Sequence, residues 1–220
     1  MRRRDLIELA LLTISAGCFG CRGNQYAKVM HPGEPGMVGS HQAGEETYRP
    51  LIDEAVAKLL GRQTVAQQPG PDGRPRPTRI CFVAVENLSA EEMGDFKDQI
   101  YQQIDSRILE SHVFQPVSKR FVDAGLMQTR LRPDSLMVPE NMRAFAATLE
   151  QQGQPFDYLL YATLTSGTTR DNRNYQRDYL LTLDLVNVHT GQYDKQSATL
   201  SKGYYHSRLG RLRSMNPFRG

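Results

Sequence analysis

Apolar residues recur at three- and four-residue spacing in several stretches of the chain, and this period predicts α-helices. The predicted helices span residues 47–61, 89–110, 118–125 and 139–152. Ser89 and Glu92 form a capping box at the start of the second helix. Gly61 and Gly125 are placed to end the first and the third. The first helix has one apolar face, so we expect it to dock on the domain that follows.

Other stretches have the patterns typical of β-strands. Residues 80–85 are an unbroken apolar run, which indicates a strand buried on both faces. The later predicted strands are 112–117, 157–165, 175–188 and 193–202. The last of them is polar and is expected at the sheet edge, where Lys195 and Lys202 discourage pairing with another chain. Residues 166–174 are polar and predict a loop, whereas 126–138 are ambiguous.

The order of these elements predicts the fold. Crossover helices separate the early strands, which must therefore pair in parallel, and the last strands follow one another as an antiparallel meander. We expect one α/β domain with a mixed, mostly central sheet of about five strands. Helices should flank this sheet, and an antiparallel hairpin should end it.

The amino-acid composition excludes several classes of protein. The chain has 220 residues, of which 39% are hydrophobic and 23% charged, which excludes a protein that crosses a membrane many times. Its 27 basic and 24 acidic residues give a net charge of +3, too small for a globally basic nucleic-acid binder. Three cysteines are too few for a disulfide-based scaffold. No nucleic-acid partner is therefore expected.

The N-terminus has the pattern of a secretory signal. Three arginines follow Met1, and the uncharged run behind them has 13 residues, fewer than the roughly 20 that span a membrane. Small residues lead directly to Cys18, as in the lipobox of a lipoprotein precursor. We predict that residues 1–17 are removed and that lipid on Cys18 anchors the chain in a membrane. Because Asp5 and Glu8 interrupt the apolar stretch, an amphipathic N-terminal helix of a cytosolic protein is the alternative.

The rest of the chain divides by composition. Residues 18–46 lack hydrophobic periodicity and contain many glycines and prolines, so they are predicted to form a flexible tether. The domain is expected at 47–207, where a proline-rich linker (62–78) separates the first helix from a core at 79–203. Residues 208–220 form a basic tail, for which contact with anionic lipid or polymer and simple solvation both remain open.

Sequence motifs for catalysis are absent. The chain has no GxxxxGKS/T, GxGxxG, GxSxG, SxxK or HExxH sequence, so nucleotide binding and the common hydrolase mechanisms have no support. None of the five histidines has another ligand residue at metal-binding spacing. We predict a protein without enzymatic activity, cofactor, metal or small-molecule substrate. An enzyme of the hydrolase or nucleotide-binding type is the alternative.

Residues 169–177 interleave arginines with a tyrosine. Arg170, Arg173, Tyr175 and Arg177 belong to residue types that are enriched in protein interfaces and in their hot spots. We therefore predict that these four side chains bind a protein partner. A solvated hairpin loop is the alternative.

Three short segments resemble a known protein family. Residues 79–87 resemble a buried strand that ends in an N-L/T-S/T turn. Residues 157–164 (DYLLYATL) resemble a D/E-Y-L/V-L/V-x-G-x-I/L strand, and 185–191 (LVNVHTG) resemble an L-V-N/D-V-x-T-G hairpin. Together with the lipobox-like N-terminus, the tether and the first helix, the pattern over about 47–202 is similar to the LpoB-type penicillin-binding-protein activator lipoproteins.

This resemblance implies a lipid-anchored envelope protein at the outer membrane, facing the periplasm. Its partner would be a bifunctional peptidoglycan synthase, a penicillin-binding protein, which it would bind and shift toward an active state. A lipoprotein component of a secretion or surface-appendage complex of the curli type, also without catalytic activity, is the alternative. Related lipoproteins with this sort of α/β domain serve in such complexes.

Overall fold

The computed structural model describes residues 43–63, 67–69, 75–171 and 174–204. The predicted signal peptide, the predicted lipidation site Cys18, Arg173 and the basic tail lie outside the described residues. None of the described helices combines the length and the hydropathy needed to cross a membrane.

In the described part of the chain, four α-helices overlap the four stretches in which the apolar period predicts helices. They are α1 (Glu45–Arg62), α2 (Phe96–Ser111), α3 (Lys119–Thr129) and α4 (Pro139–Gln151), and a short 3₁₀-helix (Pro133–Met137) precedes α4. The apolar stripe of α1 is buried, with Leu51, Ile52 and Leu59 at most 1% exposed. Helix α4 begins at Pro139, whose fixed φ suits a first turn. Gly153 follows this helix with a φ of 72°, as expected for a residue that ends one.

The described residues also form seven strands. They are β1 (Gln67–Pro69), β2 (Pro75–Pro77), β3 (Arg79–Leu88), β4 (Gln115–Pro116), β5 (Tyr158–Asp171), β6 (Asn174–Asn187) and β7 (Tyr193–Tyr204). Strands β1 and β2 pair with each other, and the other five form one sheet in the order β4-β3-β5-β6-β7. Strand β3 is parallel to β4 and β5, whereas β5, β6 and β7 are antiparallel neighbours. The predicted mixed α/β fold is confirmed, with β7 at the predicted edge.

Helices cover both faces of the sheet. On one face, which we call the α1 face, Phe82 and Leu160 are buried with the apolar stripes of α1 and α2. On the other face, Cys81 and Leu159 are buried with Phe145 and other residues of α3 and α4. Successive residues of a strand point to opposite faces, so β3 and β5 need apolar side chains at nearly every position. This explains the unbroken apolar run in the sequence.

The hairpin formed by β5 and β6 is longer than the sequence predicts. The polar stretch 166–174 predicts a loop, but strand pairing continues until Asp171 lies opposite Asn174. The prediction is wrong because the threonines of this stretch favour extended backbone although they are polar. Residues 167–170 are all exposed. The end of the hairpin therefore extends beyond the helices that cover the sheet.

The start of α2 also differs from the prediction. The capping box at Ser89 and Glu92 does not start a helix, and α2 begins at Phe96. Instead, the Asn87 side-chain oxygen accepts hydrogen bonds from the Ser89 N–H at 3.0 Å and the Ser89 hydroxyl at 2.7 Å. The Asn87 side-chain amide donates to the Glu91 carbonyl at 2.7 Å. This local turn competes with the helical turn and leaves Glu91 in a loop.

Two further local predictions need correction. The proline-rich segment 62–78, predicted to be irregular, contains the antiparallel β1–β2 pair, since proline is tolerated in short edge strands. Gly125 does not end α3, which continues to Thr129. A Cβ atom at Gly125 would lie 2.9 Å from the Phe145 ring. The glycine therefore serves the close approach of α3 to α4 and not a helix stop.

Candidate partner-binding surface

Three of the four side chains predicted to bind a partner lie together at the end of the β5–β6 hairpin. Arg170 on β5 lies opposite Tyr175 on β6, and Tyr175 lies opposite Tyr204 on β7. Arg177 lies opposite Lys202 in the same way. Residues directly opposite each other share one face of a sheet, so these side chains are neighbours. The fourth predicted residue is outside the described part of the chain.

We use the name distal ladder for Arg170, Tyr175, Arg177, Tyr179, Lys202 and Tyr204. The ladder lies on the α1 face, because Tyr179 belongs to the core cluster beneath α1 and is fully buried there. Lys202 donates a hydrogen bond to a carboxylate oxygen of Glu46 at 2.7 Å. The first turn of α1 therefore fixes one side of the ladder.

Aromatic rings and cations stack within the distal ladder. The rings of Tyr175 and Tyr204 are nearly parallel, at 10°, and their centroids are 4.4 Å apart. The Arg177 guanidinium carbon lies 5.5 Å and 5.8 Å from these two centroids. Lys202 Nζ lies 5.2 Å from the Tyr204 centroid. Each cation–π contact contributes roughly 0.5–1 kcal/mol at an exposed site, and together they favour one arrangement of the side chains.

A buried acidic residue holds the inner end of the ladder. Glu91, in the loop before α2, is 7% exposed. Its Oε1 accepts hydrogen bonds from the Arg177 guanidinium and from the Tyr179 hydroxyl, the latter at 2.6 Å. The hydroxyls of Tyr179 and Tyr204 are 2.8 Å apart. Since Glu91 precedes Arg177 by 86 positions, this network ties the loop after β3 to the distant hairpin.

Electrostatics in this network favours a charged arginine and neutral tyrosines. Burial raises the pKa of Tyr179, and its hydrogen bonds to Glu91 and Tyr204 raise it further. Burial is the largest single effect on Arg177 and opposes its charge, but the hydrogen bonds and charge interactions with Glu91 and Tyr179 together outweigh burial, so the pKa of Arg177 is raised. Burial and the nearby charge of Glu91 raise the pKa of Tyr48 to about 12. These phenols are therefore neutral at neutral pH.

The two described arginines of the ladder differ in how accessible they are to another protein. The Arg177 side chain is 16% exposed and is ion-paired with Glu91. Arg170 is exposed, and within the described ranges it forms no ion pair. A cation that is already desolvated and ion-paired is not available to form a further ion pair with another protein. Arg170 and the half-buried Tyr175 are the parts of the ladder that another protein can contact.

The sequence did not predict that Glu91, or Lys202 and Tyr204 on β7, would belong to this surface. The sequence pattern places Glu91 at a helix start, and it gives Lys202 only the role of a charge at a sheet edge. With β6 extended to Asn174, Tyr175, Arg177 and Tyr179 alternate along one face of the strand. This period of two is the signal that could have found the ladder.

In the part of the chain that the structure describes, no site for metal or thiol chemistry is visible. Within the described ranges, no three His, Cys, Asp or Glu side chains are grouped as a metal site requires. Cys81 is fully buried, and burial raises the pKa of its thiol. A buried thiol of this kind packs as a small apolar residue.

Comparisons with known proteins found one matching family and several similar structures. The family model of the peptidoglycan-synthase activator LpoB matches residues 48–194. The structure is similar to the LpoB C-terminal domain from Salmonella enterica (TM-score 0.48, 15% identity), over 70% of this chain and 97% of that chain. It is also similar to the LpoB C-terminal domain from Escherichia coli (TM-score 0.47, 17% identity), over 70% of this chain and 98% of that chain. No curated protein matches the chain.

The segment matched by the family model contains most of the described domain. It begins in the first turn of α1 and ends at the start of β7, so it covers more than half of the chain. The same family is the one that the three sequence segments resemble. This chain belongs to the LpoB family of peptidoglycan-synthase activators.

Proposed function

We propose that this chain is an outer-membrane lipoprotein that faces the periplasm and binds and activates a bifunctional peptidoglycan synthase, a penicillin-binding protein. It acts by protein contact and has no catalytic activity of its own. The observation that carries the proposal is the family match over residues 48–194. The match includes every strand of the main sheet at least in part.

The distal ladder is the surface that we assign to the synthase. Arginine and tyrosine are over-represented among interface hot spots. The stacked rings and the Glu91 network hold these side chains in place before binding, so less conformational entropy is lost on association. The hairpin end also extends beyond the covering helices, which leaves it accessible to a large partner.

Within this surface we assign two roles. Arg170, Arg173 and Tyr175 contact the synthase. Arg177 is paired with Glu91 and lies near both tyrosine rings, so its role is to position them. All four residues that the sequence singles out therefore have a role in this surface. Three of them contact the synthase, and the fourth holds the tyrosine rings in position.

Activation requires that the chain bind one state of the synthase better than the other. A partner shifts a conformational equilibrium only by its difference in affinity for the two states. A tenfold preference for the active state corresponds to about 1.4 kcal/mol. A preorganised surface of modest size is sufficient for a difference of this magnitude.

Cys18 supplies the membrane anchor in this proposal. Its position behind a short uncharged run and small residues supports lipidation, and acyl chains bind a bilayer by burying methylene groups. Mass spectrometry of membrane fractions should find a diacylglyceryl-modified Cys18 at the mature N-terminus. Cys18→Ala should abolish this modification and release the chain from the membrane fraction. An unmodified chain that still begins at Met1 would overturn the anchor.

Charge reversal at Arg170 tests the contact surface. We expect Arg170→Glu to weaken binding to a purified bifunctional synthase at least about tenfold, because it removes a hot-spot cation and adds a repelling charge. Arg143→Glu is the matched control, since Arg143 is an exposed arginine on α4, which covers the opposite face. Surface plasmon resonance measures both affinities. Equal affinities would overturn the assignment of the distal ladder and leave the family membership unaffected.

A further inference from the structure

Strand β5 has an unpaired edge near the end of the β5–β6 hairpin. The pairing of β3 with β5 ends where Leu88 lies opposite Thr165, whereas β5 extends beyond this pair. The side-chain oxygen of Ser166 accepts a hydrogen bond from the Ala90 N–H at 2.9 Å, so the loop after β3 contacts a side chain of β5 there. Residues 167–170 are exposed, and among the described residues β6 is the one strand that pairs with them. We call the side of residues 167–170 that faces away from β6 the β5 tip edge.

The alternation of hydrogen bonds in the sheet shows which backbone groups this edge presents. The Asn187 N–H donates to the Gln192 carbonyl at 2.8 Å, so the Asn187 backbone faces β7. Successive residues of an antiparallel strand bond to opposite neighbours, and the register of β5 with β6 is unbroken up to the tip. The residues of β6 opposite Thr168 and Arg170 stand an even number of positions from Asn187 and also face β7. Thr168 and Arg170 therefore direct their N–H and C=O groups away from β6, into the β5 tip edge.

The outer edge of the sheet, on β7, is protected against pairing in a way that the β5 tip edge is not. Lys195 and Lys202 lie on β7, and Lys58 of α1 donates a hydrogen bond to the Ser197 carbonyl at 3.0 Å. By the same alternation, this carbonyl faces away from β6. Lysines and a covering helix are usual means of blocking a sheet edge. Residues 167–170 contain neither lysine nor proline, so the β5 tip edge remains open to another strand.

The β5 tip edge is continuous with the distal ladder through Arg170. Within the described ladder, Arg177 is paired with Glu91 and Lys202 with Glu46. Arg170 is the ladder cation that forms no ion pair within the described ranges. A strand added to β5 would place its side chains beside those of β5 on the same face. An acidic side chain on that strand would therefore complement Arg170.

We propose that an extended segment of the synthase adds to the β5 tip edge as a strand, bonds the backbone of Thr168 and Arg170, and places an acidic side chain on the Arg170 guanidinium. Strand addition of this kind supplies affinity through main-chain hydrogen bonds, and the side chains supply specificity. The inference rests on the proposed function, because it names how the same partner is held. It adds backbone contacts to those that the side chains of the distal ladder provide.

A pair of substitutions at Thr168 tests the backbone contact. Thr168→Pro removes an N–H that faces away from β6, a position at which proline is tolerated in a strand. Thr168→Val is the matched control, because it keeps the N–H and, like proline, removes the hydroxyl that accepts a hydrogen bond from Arg177 at 3.2 Å. We expect Thr168→Pro to bind a purified bifunctional synthase at least about tenfold more weakly than Thr168→Val. Surface plasmon resonance measures both affinities, and equal affinities would overturn the inference.

Hydrogen exchange in the wild-type chain provides a second readout that does not depend on the folding of a variant. The amide protons of Thr168 and Arg170 should exchange more slowly in the complex with the synthase, because the added strand protects them. The Thr169 amide, which faces β6, should change much less. Exchange at Thr168 and Arg170 that stays the same in the complex would overturn the inference.

Two further outcomes separate the strand addition from its alternatives. Protection of Thr168 and Arg170 that appears on concentrating the chain alone would assign the β5 tip edge to a second copy and would overturn the inference. A wild-type chain that binds no bifunctional synthase would overturn the proposed function and this inference with it. Binding that is weakened by Arg170→Glu but is equal for Thr168→Pro and Thr168→Val would overturn the strand addition alone.

Discussion

Two acidic side chains hold the basic residues of the distal ladder. Glu91 is buried and bonds Arg177, whereas Glu46 is partly exposed and bonds Lys202. Burial decides how much each pair matters. Removing one member of a buried pair leaves an uncompensated charge, but an exposed pair contributes little. Most of the rigidity of the ladder therefore comes from Glu91, and Glu46 makes a smaller contribution that depends on pH.

Glu46 should make part of the stability depend on pH. Burial is the largest single effect and opposes the charge of Glu46, but the hydrogen bond from Lys202, the Lys202 charge and backbone hydrogen bonds together outweigh burial, so the pKa of Glu46 is lowered from 4.5. Because the unfolded state then binds the proton more readily, the stabilisation is complete above the unfolded pKa and is lost as the pH falls through the native pKa. Thermal unfolding should be measured for wild type and Glu46→Gln at a series of pH values from neutral to acidic. The melting temperature of wild type should be slightly higher at neutral pH, and this difference should vanish in acid. A difference that persists in acid would contradict this linkage.

The elements differ in how well the sequence predicts them. Burial leaves a regular apolar period, so the helices and the main strands could be predicted with the correct order. The exposed end of the β5–β6 hairpin has no such period, and residues 166–171 fit a loop or a strand equally well by composition. The start of α2 could not be predicted either, because the Asn87 side chain competes with the capping box through bonds that depend on the folded loop.

Glu91→Gln should weaken the connection between the loop after β3 and the hairpin. Glutamine keeps an acceptor for the Tyr179 hydroxyl but leaves the Arg177 charge without its counter-charge. We expect the free energy of unfolding to fall by about 1–3 kcal/mol, as measured by urea denaturation. Glu110→Gln is the control, because Glu110 is 66% exposed, and it should change the free energy by less than about 0.5 kcal/mol. Equal losses in the two variants would show that Glu91 contributes no more than a surface charge.

At the scale of the whole molecule, the distal ladder is formed by segments that are far apart in the sequence. Arg170, Tyr175 and Arg177 could be predicted from one stretch of sequence because their residue types are those of interfaces. Glu91 and Tyr204 could not, since they come from other elements and meet the hairpin only in the folded sheet. The family could be recognised because the buried strands and the last turn leave short specific patterns, and the family match confirms it.

The most direct test of activation is the rate of glycan-strand synthesis by a purified bifunctional peptidoglycan synthase. We predict that the rate rises when the wild-type chain is added. Arg170→Glu should need at least about a tenfold higher concentration to reach the same rate, whereas Arg143→Glu should behave as wild type. A synthase rate that does not change at saturating wild-type chain would contradict the proposed function.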